Sequence, residues 1–475
     1  MGILGHPYQL MPRPAALNQE PPFAPRPLRW SLLRILGVLT SALLLTSAAY
    51  VWIGPPLRPW DDLKPEAIPP LPAGMKNGRE FLRMKWEPLR AYASSRKLSA
   101  LQDSVVGWDE SDPEMTAGAK RGTDRLSELR EALAMPGWRA QDHQRVSGQY
   151  VDQIHLGDAL AELSALIFQR IHAGRLEQSA EMILLLAEAA TREIQTAPMS
   201  DGLGQGMHFE RVMLQAIPPF LAAATPENDS LCLKLQEVCR AESITSDRIK
   251  ACLLREVESR CHDLLTLPRR ERVPEKDWPE SRGYRIGEGF RSFFLNSKST
   301  VNLFHQTLRE AMPRLLAPVP QETHSLKGLM HAYSVREKWW LYAHPNGDGR
   351  FYVADELTGW YALDVAECRF HLFQQRATAV MIALHRWRLA KGRLPERLEE
   401  LVPVFLDAVP ADPYDGRPLR WVSSGGGLLY GLGSDWTDDA TLSFPLTGSA
   451  SGYFNDDWET PALRLVLPAP AKSGP

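Results

Sequence analysis

From Ile35 to Ile53, in the run ILGVLTSALLLTSAAYVWI, no residue carries a charge. A bilayer core about 30 Å thick is crossed by roughly 20 apolar residues in a helix, so this run constrains the chain more than any other. Trp30 stands on one side of it and Tyr50 and Trp52 on the other, where aromatic rings sit at membrane interfaces. Arg13, Arg26, Arg29 and Arg34 precede the run, and an excess of basic residues marks the cytoplasmic side. The sequence thus predicts a transmembrane helix over residues 35–53, a cytoplasmic tail over 1–34 and an extracytoplasmic remainder. A buried core helix fits less well, because the run is apolar all round and flanked by prolines. A cleaved signal peptide is the closer rival, since Ser47-Ala48-Ala49 resembles a small-residue cleavage site. The length of the segment before the run favours an uncleaved anchor, with the membrane as the first expected partner.

Length and charge narrow the rest. The 475 residues suffice for two or three domains, each able to bury a core. A net charge of -3 leaves no basic excess for phosphates and excludes a general nucleic-acid binder. The prolines cluster near residues 12–27, 54–72, 268–279 and 395–418, which places junctions in the chain. The expected order after the anchor is a stiff proline-rich spacer over 54–75 that lifts the body off the membrane. A helical domain follows over 76–267, a linker over 268–282, a mixed region over 283–362 and a C-terminal module over 363–468.

Hydrophobic spacing makes the central body helical. Ala159, Leu160, Leu163, Leu166, Ile167 and Ile171 recur at helix period, and Gly174 fits a stop. Ala180, Ile183, Leu184, Ala187, Ala190 and Ile194 form the face of a second helix, giving an antiparallel pair. No repeat at a fixed period supports a solenoid. Further helices are expected near 78–98, 122–134, 206–217, 228–242, 246–266 and 299–314, with a long one from about Leu363 to Lys391. Phe370, Phe373, Ala377, Val380, Met381 and Leu384 are the apolar stripe of that long helix, and Gly392 suits the left-handed cap after it. Cys232, Cys239, Cys252 and Cys261 fall on one expected helical hairpin. Positions nine apart on a helix face opposite ways, so at most one bridge is expected, Cys239–Cys252. Buried thiols in a helical core remain the other reading.

The stretch GRLPERLEELVPVFLDAVPADPYDGRPLRW, residues 392–421, is dense in turn chemistry. Pro395 suits the first turn of a short helix, Leu398, Leu401 and Val402 give it an apolar face, and Pro403 ends it. Asp412-Pro413 and Asp415-Gly416 are turn residues. PLRWV and LLYGL then read as strands joined by Ser423–Gly427, and ALRLVLP as a third strand. Gly392, Leu394-Pro395, Leu398, Leu401, Pro410, Asp412-Pro413, Gly416, Pro418, Tyr430, Gly433 and Asp435 are the positions at which residues 363–468 resemble the globular end of type II secretion major pseudopilins. The wider layout is similar to a group of uncharacterised, membrane-anchored bacterial proteins. The resemblance implies a mainly α chain with a C-terminal α+β module of one long helix and a small antiparallel sheet, located at the bacterial inner membrane. It also implies calcium in the loop after the last paired strand, at Ser434, Asp435, Asp438 and Asp439. Clustered hard oxygen donors in a glycine-bounded loop are what calcium needs. Two departures stand out. The pseudopilin glycine-rich loop is replaced by Trp436-Thr437 and a longer LTGSASGYFND insertion. The anchor here ends at Ile53, far from the module, without the cleavage signal that leads to pilus assembly.

The sequence carries no motif that names a reaction. Phosphate-binding loop, Gly-x-Ser-x-Gly elbow, His-Glu-x-x-His and Cys-x-x-Cys patterns are missing. SDGLGQGMHFERVML offers Gly202, Gly204 and Gly206 with His208 and Glu210, but reads as an inter-helix loop entering a helix. In HPNGDGRFYV, Asn346, Asp348 and Gly349 read as a turn. Asn296, Ser297 and Ser299 read as a helix cap, and Glu177, Glu181 and Glu188 as a solvated face. His385 is expected at a surface or boundary. The expected function is a binding or scaffolding component of the envelope, with other envelope proteins as partners. Two alternatives stay open: a membrane-anchored extracytoplasmic hydrolase, and an accessory component of a type II secretion-like system.

Overall fold

A computed structural model describes residues 28–65, 70–86, 108–139, 156–197, 200–266, 296–317, 346, 353, 362–423, 427–432 and 464–466. The chain divides into two compact units, Met1–Ile53 and Gly54–Pro475. The first contains helix α1, Leu28–Ile53. Its described side chains, residues 32–46, are exposed, the large hydrophobic ones from Ile35 at 56% to Leu45 at 71%. Among the described residues no helix is long and apolar enough to cross a membrane.

The second unit is mainly helical with a small antiparallel sheet. Helix α2 spans Gly78–Trp86 and α3 Pro113–Leu133. Asp112 starts α3 by accepting from the Glu114 and Met115 amides, with Pro113 filling a position whose N–H needs no partner. Helices α4, Leu156–His172, and α5, Leu176–Thr196, follow the expected apolar periods, and Gly174 between them takes a φ of 70°. Helix α6 runs over Ser200–Ala223, α7 over Asp229–Arg240, α8 over Ser246–Thr266 and α9 over Ser297–Leu316. Asn296 caps α9 by accepting from the Ser299 amide at 2.8 Å, as expected. Helix α10 is Ala362–Lys391, and Gly392 closes it with a φ of 69° and a bond to Arg388 O. A 3-10 turn over Leu398–Leu401 leads to strands β1 (Arg420–Val422), β2 (Leu428–Tyr430) and β3 (Arg464–Val466). They pair antiparallel in the order β1-β2-β3.

The main core joins α3 to α7 with α10 and the turns before β1. Leu160, Leu163, Ile183, Phe209 and Phe220 supply its bulk, and alanines such as Ala159, Ala190 and Ala377 let helices approach. A second cluster gathers the start of α6, α8, α9 and the start of α10 around Phe304, Leu253 and Val257. Helix α10 packs on α7 and α6, so the C-terminal segment shares the core of the helical body. Between Ala377 and His385 every residue of α10 is buried, where the sequence suggested one apolar stripe.

Four expectations change. The Gly202–Glu210 stretch is part of helix α6, with no loop. Gly206 is needed for packing, since a Cβ there would lie 2.3 Å from Ile194 Cγ1 and 3.2 Å from Ala190 O. The helix hairpin holding four cysteines is replaced by two separate packings, α7 on α10 and α8 on α9. Consequently the Cys239–Cys252 bridge is not formed: Cys239 is buried in the first cluster, and Cys252 in the second, its Sγ 3.6 Å from Ala197 O. His385 is buried at 2% exposure, and burial lowers its pKa to about 4. Finally, residues 56–63 of the proline-rich spacer do not stand free but lie along α9.

A buried ion pair ties the first helices to this body. Arg79 Nε donates to Glu193 Oε1 at 2.8 Å, and Trp138 Nε1 donates to Glu193 Oε2 at 2.9 Å. Arg79 Nη2 also donates to Gln205 Oε1 at 3.1 Å. Removing one partner of a buried pair costs far more than an exposed one, because the other charge stays desolvated. Glu193→Ala should therefore destabilise the protein by about 3–5 kcal/mol in urea denaturation, whereas exposed Glu181→Ala should cost about 0–1 kcal/mol.

Candidate functional site

The most chemically equipped cluster lies where α6 meets α10. Glu210 on α6 is 3% exposed, and His371 and Gln375 on α10 are 2% and 1% exposed. His371 and Gln375 are four apart, so both project from one face of α10 toward α6. The carboxylate is shared three ways. Ser243 Oγ donates to Glu210 Oε1 at 2.5 Å, Gln375 Nε2 donates to the same oxygen at 2.9 Å, and His371 Nε2 meets Oε2. An ionised carboxylate only accepts, so His371 Nε2 is assigned the hydrogen in that contact. Gln375 Nε2 also lies 3.3 Å from Ser243 Oγ. Burial and the Glu210 charge push the nearby Cys239 thiol far above its ordinary pKa, which keeps it protonated.

These residue types are those of nucleophilic catalysis, yet their order is wrong for it. A working serine needs a base on its hydroxyl and an orienting acid behind that base. Here serine and histidine both donate to one carboxylate, which stands between them. The hydroxyl proton is directed at Glu210 and one imidazole nitrogen meets the same carboxylate, so His371 is not placed as the base on the Ser243 hydroxyl. The arrangement is a polar knot that fixes α10 against α6 and the segment after α7, with Gln375 Oε1 left buried without a hydrogen-bond partner. Arg376 extends it, forking onto Glu242 at 2.6 and 3.0 Å and donating to Ala411 O at 2.8 Å.

Ala411 leads into the second buried carboxylate, Asp412, which has no exposed surface. Its Oδ1 accepts from the Tyr414 amide at 2.9 Å, and its Oδ2 from the Leu432 amide at 2.7 Å and Arg420 Nη1 at 3.2 Å. Its backbone closes the turn, with Asp412 N donating to Arg417 O and Gly416 N to Asp412 O. Gly431 makes room for it, because a Cβ there would lie 2.7 Å from Asp412 Oδ2 and 2.2 Å from Phe373 Cε2. Burial nevertheless dominates and raises the Asp412 pKa to about 6. The dense punctuation of residues 410–418 thus builds one turn around one carboxylate, and that carboxylate pins the end of β2.

The residues singled out by sequence distribute unevenly. Ser434, Asp435, Asp438 and Asp439, the candidate calcium ligands, lie outside the described residues. Among the described residues no group of three or more His, Cys, Asp or Glu side chains could hold a metal ion. His208 is exposed and diverges from Glu210, as their two-residue spacing on a helix requires. Glu177, Glu181 and Glu188 lie on the solvated face of α5. His371, Gln375 and Ser243 were not singled out. One signal was present: His371, Gln375, Thr378 and His385 recur at spacings of four, three and seven, a polar line on one helical face. No family model, no curated protein and no solved structure matches this chain.

Two measurements follow from these carboxylates. Glu210→Ala removes the shared acceptor and should cost about 3–5 kcal/mol, whereas Ser243→Ala removes one of three donors and should cost about 1–3 kcal/mol. Both are read by urea denaturation. For Asp412, a raised folded pKa means that the native state holds the proton over pH 4–6 while the unfolded chain has lost it. The contribution of this group is therefore most favourable below about pH 4 and is lost as pH rises to about 6, by about 3 kcal/mol in all. The stability difference between the wild type and Asp412→Asn should shift by that amount across the window and be flat above pH 7.

Proposed function

We propose that this protein is a membrane-anchored, non-catalytic binding or scaffolding component whose body faces the extracytoplasmic side. The observation that carries the non-catalytic part is the order of groups at Glu210. Its carboxylate accepts from the serine hydroxyl and meets the imidazole, with Glu210 and His371 buried and Ser243 half-buried. Such a knot supports rigidity, which a scaffold needs, more than it supports proton transfer to a substrate. The anchored part draws on α1. At 1.5 Å per residue its 26 residues reach about 39 Å, more than a bilayer core of about 30 Å, and its described leucines are exposed. Exposed apolar side chains along one helix are accounted for when lipid covers them.

The pseudopilin-like reading of the C-terminal segment is supported by the order of its parts: a long helix, a glycine cap, a short helical turn, a carboxylate-centred turn and an antiparallel sheet. Because α10 is shared with the helical body, the segment would act as part of that body, as an accessory to a secretion-like assembly and not as a polymerising subunit. The calcium loop belongs to the resemblance and is not needed for this reading. A fusion of a reporter that is active only outside the cytoplasm to the C-terminus tests the topology. The reporter should be active and the chain should stay with membranes through alkaline carbonate washing. Activity of a cytosol-only reporter at the same position would overturn the proposal.

A further inference from the structure

The contact between the proline-rich segment and α9 has the chemistry of peptide recognition. On α9, Asn302, His305 and Arg309 are three and four residues apart and so share one face. Each reads a different feature of residues 56–63. Asn302 grips backbone in both directions, its Nδ2 donating to Pro56 O at 3.0 Å and its Oδ1 accepting from the Arg58 amide at 2.9 Å. His305 stacks on the Trp60 ring with centroids 4.2 Å apart, and its Nε2 lies 3.5 Å from Cys261 Sγ, which fixes the ring. Arg309 forks onto Asp62 at 2.7 and 2.6 Å and donates to Pro59 O at 3.1 Å. Leu63 completes the contact by burying its side chain in the cluster formed with α8 and α9.

The contacts of Asn302, His305 and Arg309 with residues 56–62 join a short contiguous segment to one helix face. Prolines at 55, 56 and 59 hold that segment extended before it docks, so little entropy is lost on binding. A backbone clamp, an aromatic platform and a guanidinium fork are the parts by which proteins bind linear motifs. We propose that the Asn302–His305–Arg309 face is a docking surface for the motif Pro-x-Arg-Pro-Trp-x-Asp-Leu, occupied here in cis by residues 56–63, and that it accepts the same motif in trans from a second copy of this chain. Exchange of an identical segment between copies keeps every contact and needs no new surface. The inference stands on this contact alone and does not depend on the membrane reading.

Covalent attachment gives the cis segment an effective concentration in the millimolar range, so a free peptide is masked in the wild-type chain. The test uses the full chain and a fluorescein-labelled peptide of residues 54–65, read by fluorescence anisotropy. In the variant Trp60→Ala with Asp62→Asn the cis segment is weakened, and the peptide should bind at least tenfold more tightly than to the wild type. Adding Arg309→Gln to that variant should remove the gain. Equal binding to all three chains, or no binding to the weakened variant while its circular dichroism matches the wild type, overturns the proposal. A second measurement needs no variant. An excess of isotopically heavy peptide, distinguishable by mass, should speed hydrogen exchange in residues 57–63 of the wild type severalfold. Unchanged exchange at saturating peptide would show that the segment is fixed in cis and sink the trans exchange.

Discussion

The fold depends on helix α10 being buried along most of its length. It enters the molecule between α6 and α7, and the apolar cluster it completes runs from Leu82 in α2 to Leu429 in β2. A helix so placed cannot be purely apolar without losing its register, because one leucine face slides past another at little cost. Here its depth and rotation are set by polar pairs. His371 and Gln375 meet Glu210, and Arg386 forks onto Asp229 at 2.7 and 3.0 Å while donating to Gln236 at 3.0 Å. A buried group that must find its partner punishes any wrong register by the full cost of desolvation.

The same logic recurs at smaller scale. Glu193 receives Arg79 and Trp138, which arrive from the first turn of α2 and the segment after α3. Asp412 receives two backbone amides and a guanidinium, which arrive from a turn, a strand end and a neighbouring strand. In each case one buried carboxylate collects donors from segments far apart in the chain. The three together pin the start of the body, its centre and its C-terminal end. Glu193, Glu210 and Asp412 hold helices and turns together, and among the described residues the contact along α9 carries recognition chemistry.

Much of the architecture was legible locally. The apolar periods of α4 and α5, the Gly174 and Gly392 stops and the Asn296 cap all lie within a turn or two of the residues they control, so the sequence expresses them directly. The strands and the Asp412 turn were readable for the same reason. The polar knot was not, because Glu210 and His371 are 161 residues apart and neither sits in a motif. The cysteine hairpin failed for a related reason. Helices α7 and α8 are adjacent in sequence, yet each gains more by packing on a partner brought in from later in the chain, α10 and α9. The proline-rich segment misled in the opposite way, since a composition suited to a free spacer also suits an extended ligand.

What the sequence determined by itself is most of the helices, the Gly174 and Gly392 stops and the charge-free run near the start, because each depends on neighbours within a helical turn or on composition alone. What only the tertiary structure decided is which helices are partners, that α10 is buried all round between Ala377 and His385, and that Glu210 is a shared acceptor. Those outcomes depend on the competition among many possible long-range contacts, which is settled by total apolar burial and by the need to satisfy every buried polar group at once. No short window of residues contains that competition.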